Sequence, residues 1–201
     1  MEILVLAALI FVGAYVLKSR EQSRRIALLG SQLGNYQIEK LMEKLTDGYL
    51  RCLGEDDAER RDQIWSLLAE DEQTLSGQFN RFAASFGRLG DAETRISKLP
   101  IAVPYADQWL PSATFDARKA FAIHAKGIAD AAGNVLQQTS KRKAFTMSAE
   151  LFLMQHTCHW FCRSKTVASA RLLARHKTSY QLALDSVAPS TREAYRALTG
   201  S

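Results

Sequence analysis

Fifteen residues without a charge, Ile3 to Leu17, open the chain, and Lys18, Arg20, Arg24 and Arg25 follow within eight positions. At about 1.5 Å per residue, a helix from Met1 to Lys18 reaches roughly 27 Å, near the short limit for crossing a hydrocarbon core about 30 Å thick. The run is apolar on every side rather than along one stripe, which separates it from the helix of a water-soluble bundle. A cleaved secretory signal wants positive charge ahead and small residues behind. Here Glu2 precedes the run and Leu17-Lys18-Ser19-Arg20 follows it. The expectation is a transmembrane anchor over residues 1–18, with Tyr15 in the interfacial belt and Lys18 snorkelling to a headgroup.

Charge asymmetry sets the expected orientation. Four basic side chains flank the carboxy-terminal end of the run and none precedes it, so the amino terminus is expected outside and residues 18–201 in the cytoplasm of a plasma (inner) membrane. An extracytoplasmic domain of reversed topology is the alternative. The three cysteines, Cys52, Cys158 and Cys162, form no CxxC pair and no even framework, in keeping with a reducing compartment.

The chain is 47% hydrophobic and 23% charged, a balance that favours folding over disorder. Its net charge of +5 is uneven: residues 1–53 carry +2, 54–99 carry −4 and 100–201 carry +7. Against an anionic leaflet each Lys or Arg held close gains about 1 kcal/mol, so the basic half suits a lipid surface or an acidic partner. Lys141, Arg142 and Lys143 form the densest run. It is short and has no interleaved aromatics, which disfavours nucleic acid and favours a solvated linker over 137–145.

Periodicity predicts an all-α fold: the single transmembrane helix, an antiparallel helical hairpin over 19–90, a Pro-rich apolar connector over 91–113 and a basic helical region over 114–201 packing on the hairpin. Ile26, Leu29, Leu33 and Tyr36, then Ile38, Leu41, Leu45 and Tyr49, recur at three and four, which predicts one arm of the hairpin continuous with the anchor. Gly30, Gly34 and Gly48 weaken that helix. Gly54 and the acidic stretch Glu55 to Asp57 predict a reversal. Ile64, Leu67, Leu68, Leu75, Phe79, Phe82, Phe86 and Leu89 make the second arm, a stripe expected to be core.

Pro100, Pro104 and Pro111 deny the connector a long helix. Its apolar residues, Tyr105 and Trp109 among them, are expected to dock on the helices as a clasp, or alternatively to form a partner-binding loop. Thr114 is the expected cap of the next helix, with Phe115, Lys119, Ala122, Ile123, Ala129, Ala132 and Leu136 on its inner face. Residues from Ala149 to about Ser186 contain no proline or glycine, which predicts one long helix, and a short terminal helix is expected near 191–198.

The segment His156-Thr157-Cys158-His159-Trp160-Phe161-Cys162 concentrates metal-ligating side chains. On one helix only Cys158, His159 and Cys162 can converge, and a tetrahedral site needs a fourth ligand from elsewhere. The spacing matches no common zinc signature, so core cysteines and surface or half-buried histidines are expected, with a metal- or haem-binding sensor as the alternative function. Projection on one continuous helix puts Lys165 and His176 on the apolar face, where each needs solvent or a partner such as Asp71. Arg163, Arg171, Arg175 and Lys177 form the opposite, basic face.

No phosphate-cradling loop, GxSxG elbow, HExxH or paired acidic motif is present, so neither catalysis nor a bound cofactor is expected. The expected function is a membrane-anchored helical scaffold or adaptor. Its partners would be other membrane or membrane-associated proteins or an anionic lipid surface, met through Tyr105, Trp109, Lys141, Arg142, Lys143, Arg163, Arg171, Arg175 and Lys177.

Overall fold

The computed structural model describes residues 2–200. Helix α1, Glu2–Leu33, runs unbroken from the apolar run into the amphipathic stretch that follows. Residues 2–20 are exposed throughout, and no part of the apolar window is buried against the rest of the chain. Among the described residues this is the helix long and apolar enough to span a membrane. Its second half packs on the domain, so the apolar rod and the first core helix are one element about 48 Å long.

That helix stops sooner than its periodicity predicts. The Gly34 N–H bonds the Gly30 carbonyl at 2.8 Å, and the chain turns over 34–37 before α2, Ile38–Leu53, pairs with the next helix. Asp57 caps α3, Ala58–Phe86, by accepting from the Glu59 and Arg60 N–H groups at 2.9 and 3.2 Å. The return is antiparallel: Lys44 meets Asp71, Tyr49 meets Glu72 and Gln32 meets Ser85. A Cβ on Gly48 would lie 2.3 Å from Leu68 Cδ2, so this glycine marks the closest approach of α2 and α3.

A one-turn helix α4, Asp91–Thr94, leads into β1, Arg95–Ser97. This strand pairs antiparallel with β2, Thr114–Asp116, Ile96 opposite Phe115. Between the strands lie α5, Ala106–Trp109, and a 3₁₀ turn, Pro111–Ala113. Helix α6, Ala117–Ala132, is capped by Asp116 rather than Thr114. Its buried face comprises Ala117, Ala120, Phe121, His124, Ala125 and Ile128, whereas Lys119 and Ala122 point to solvent, so the face expected from sequence is rotated. Phe121 sits edge-on to Phe82 and Phe86 at 5.1 and 4.8 Å between ring centres, and the phenylalanine stripe of α3 is core.

The carboxy-terminal third corrects the sequence expectation most. Helix α7, Ser140–Cys162, starts inside the expected linker, with Thr139 as its cap. The long helix expected from Ala149 is three: it breaks at Arg163, and α8, Lys165–His176, and α9, Tyr180–Ser186, fold back along α7. Ser164 and Ser179 end the run by accepting from the Val167 and Leu182 N–H groups, and Lys177 turns the chain at φ 53°. Helix α10, Pro189–Thr199, docks on α6 through the buried Tyr195. With α1 and α2 as one leg, α3, α6 and α7 complete a four-legged up-and-down bundle within an all-α fold.

Candidate functional site

Three seams of this bundle are closed. Helices α2 and α3, α3 and α6, and α6 and α7 pack along their lengths; α7 meets the fourth leg mainly through α1, while α2 and α7 touch sparingly. The fourth seam is therefore a groove. Its first cleft, about 610 Å³, lies between α1, the start of α2 and the end of α7, and is lined by Ile26, Leu29, Leu33, Met42, Met154, Cys158 and Cys162. A second, about 510 Å³, carries Leu50, Leu53, Phe145, Phe152 and Leu182. A shallower stretch joins them, crossed by Arg175 and Glu39 at 3.6 Å. From Cys162 to Phe145 the floor on α7 is about 26 Å long.

The rims carry opposite charge. Glu39, Glu43 and Asp47 edge the groove on α2; Arg171 and Arg175 of α8 and Lys177 just after it edge the other side. Leu50 is 67% exposed and Leu182 and Phe145 each 56%, large fractions for leucine and phenylalanine in a packed domain. Sequence periodicity missed these residues. The available signal was Leu50 lying outside the stripe of Leu41, Leu45 and Tyr49, an apolar position that the bundle has no use for.

Cys158, His159 and Cys162 all face the first cleft. The Cys158 thiol contacts the Met154 sulfur at 3.8 Å, and the Arg171 guanidinium donates to His159 Nδ1 at 3.2 Å. Among the described residues, no three His, Cys, Asp or Glu side chains converge as metal ligands would. Burial raises both thiols, Cys162 to about 11, so at neutral pH they are protonated and weakly nucleophilic. Burial and the Arg171 charge beside it lower the His159 pKa, keeping that ring a neutral acceptor.

The break after Cys162 relocates the groups projected on one continuous helix. His156 is buried rather than at the surface, its Nε2 3.1 Å from Ser169 Oγ and its ring beside Trp160 and Tyr180. His176 comes back beside α7, stacking on Phe152 at 3.9 Å and donating to Gln155 Oε1 at 2.7 Å. The Lys165 ammonium lies 5.1 and 4.8 Å from the Trp160 and Tyr180 ring centres. Asp71, the partner suggested by sequence, instead holds Lys44.

The basic run at 141–143 is helical and divided. Lys141 and Arg142 are exposed, whereas Lys143 pairs with the buried Glu72, which also accepts from the Tyr49 hydroxyl at 2.5 Å. It sits about 32 Å along α7 from Cys162. Arg163 lies at the other end, bonded to Gln22 of α1. The connector is anchored at its ends by the buried Ile96 and Phe115 and held midway by hydrogen bonds to Thr166 and Glu21, while Trp109 is 77% exposed.

The closed α6–α7 seam holds a polar network that the sequence did not reveal. His124 Nε2 lies 2.8 Å from Thr157 Oγ1, which lies 2.7 Å from the Tyr195 hydroxyl, and Glu150 accepts from the Ala188 N–H at 3.0 Å. Burial pushes Glu150 up to about 7 and both His124 and His156 down to about 3. Compared with protein-family models, with curated proteins and with solved structures, the chain matches none, so any functional conclusion stands on its own residues.

Proposed function

We propose that this chain is a single-pass membrane scaffold whose groove receives an amphipathic helix of a membrane partner. The carrying observation is α1 itself. Sixteen residues of it, 2–17, are solvent-exposed in the isolated chain although eleven of them are large and apolar, and the same helix continues without a hinge into the core. Each fully exposed large apolar side chain forgoes roughly 1.5–3 kcal/mol of burial, which a bilayer restores. Lys18, Arg20 and Arg24, exposed just beyond the span, keep that flank and the domain in the cytoplasm.

Geometry supports a helix from a membrane protein as the occupant. The first cleft reaches Ile26, only about 12 Å along α1 from Lys18, so it opens where a juxtamembrane segment of a neighbouring span emerges. The two clefts together run about 26 Å, room for some seventeen helical residues once the Arg175–Glu39 pair that crosses their middle opens. Its acidic and basic rims select a helix with basic residues on one flank of its apolar face and acidic residues on the other, and so impose a single direction.

Photo-crosslinking from position 50 in native membranes tests the proposal. The full chain is expected to sediment with membranes after alkaline washing and to crosslink to a membrane protein, and Leu182→Asp, an exposed change, should abolish the adduct. A chain left in the high-speed supernatant, or a lone monomer without adducts, would overturn it. Protease protection in sealed spheroplasts checks the orientation.

A further inference from the structure

The connector between β1 and β2 climbs α1 toward the span. Arg25 donates to the Arg95 carbonyl at 2.7 Å, the Tyr105 N–H donates to Glu21 Oε2 at 3.1 Å, and Ile101 to Val103 line a narrow crevice with Lys18. Contacts thus advance from Arg25 to Lys18, about 10 Å along the helix axis, and reach the last charge before the apolar run. The far side is clamped as well: Thr166 donates to the Pro100 carbonyl at 2.7 Å and the Trp160 indole to the Ser97 carbonyl at 2.8 Å.

What the clamped loop presents is apolar and unburied. Trp109 is 77% exposed, Ile101 65% and Leu110 45%, with Tyr105 beside them. A bundle helix has no use for these side chains, and the prolines remove backbone donors that would otherwise need satisfying in a low-dielectric layer. Tyr105 adopts a left-handed φ of 54°, uncommon for an aromatic residue, and its N–H is held there by Glu21 at the foot of the span. Exposed Lys18 and Arg20 stand at the same level, where anionic headgroups would lie.

We infer that the 99–111 loop is a second membrane contact, inserting Trp109, Leu110 and Ile101 into the headgroup layer beside the emerging α1. Tryptophan and tyrosine favour that layer because an apolar ring and a polar tip are both accommodated. Two contacts on one rigid body fix the tilt and rotation of the domain, and so hold the groove mouth at the membrane surface. This inference rests on α1 spanning the bilayer, and its occupant is lipid rather than a protein.

The test uses the full chain reconstituted into vesicles of zwitterionic and anionic phospholipid carrying a nitroxide either near the head or near the end of the acyl chain. Flotation with the vesicles comes first, and a chain that stays at the bottom overturns the membrane proposal itself. In floating protein, the shallow nitroxide is expected to quench the wild type more than Trp109→Ser, and the shallow label more than the deep one. Trp65 and Trp160, half-buried and buried, supply the background common to both. Equal quenching of wild type and Trp109→Ser overturns the loop inference and leaves the span intact. A photo-crosslinker at position 109 in native membranes separates lipid from protein: lipid adducts support insertion, and a predominant protein adduct overturns it.

Discussion

Helix α7 meets α6 on one side in a closed seam and α2 on the other in an open one, and the difference lies in the facing helices. Toward α7, α6 offers Gly127 with Ala120 and Ala131 on the same side of the helix, and a Cβ on Gly127 would fall 2.4 Å from both Glu150 Oε2 and Thr191 Oγ1. Backbones can come that close only without side chains between them. Helix α2 offers Met42, Thr46 and Leu50 instead. Closure follows small residues; the groove follows their absence. Stability should thus reside in one seam and recognition in the other.

The largest effect should come from the other face of α6, in its equally closed seam with α3. Phe121→Ala removes a fully buried ring packed against Phe79, Phe82 and Phe86, and is expected to cost about 3–5 kcal/mol, read as a lowered denaturation midpoint in detergent. Leu50→Ala, at the open seam, should change stability by no more than about 0.5 kcal/mol. Similar losses at both sites would erase the distinction.

Next in size is a pH effect. Glu150 has its folded pKa raised, from an ordinary 4.5 to about 7, so the native state holds a proton that the unfolded chain releases. Its stability contribution is complete below pH 4.5 and is lost as pH rises through 7, by a few kcal/mol at most. His124 and His156 behave oppositely: with folded values near 3 against 6.5, their contribution is present above 6.5 and lost as pH falls toward 3. Glu150→Gln should therefore gain Tm relative to wild type between pH 5 and 8. A constant difference across that range would show that Glu150 does not titrate in the folded seam.

The long apolar helix and the core stripes were legible because each is a periodic or continuous apolar pattern, and Phe79, Phe82 and Phe86 fall where spacing of three and four puts them. The breaks were not. Ser164 and Ser179 start new helices by accepting from N–H groups three residues on, a signal that exists in the sequence but competes with every other serine. Missing them misplaced His176 and Lys165, since a projection on one straight helix cannot describe a chain that folds back. The groove was invisible for a different reason. It depends on two helices distant in sequence failing to meet, which no local pattern encodes.

Smaller effects compare two glycines. Gly127→Ala places a methyl against Glu150 and Thr191 in the closed seam, and overpacking of this kind costs about 1–3 kcal/mol. The same substitution at Gly30 behaves differently. A Cβ there meets nothing within 4 Å, the residue is exposed and helical, and it lines the first cleft. Replacing glycine by alanine in an open helix interior gains up to about 1 kcal/mol, because the unfolded chain loses freedom and the helix loses nothing. Gly30→Ala should thus raise Tm slightly. If a partner helix lies close over α1 at that point, the added methyl also stands between the two backbones, and the crosslink from position 50 should weaken while the fold is strengthened. Opposite movement of stability and adduct yield is the signature of a seam kept open for another chain. A rise in both would mean that the partner seats on the second cleft alone.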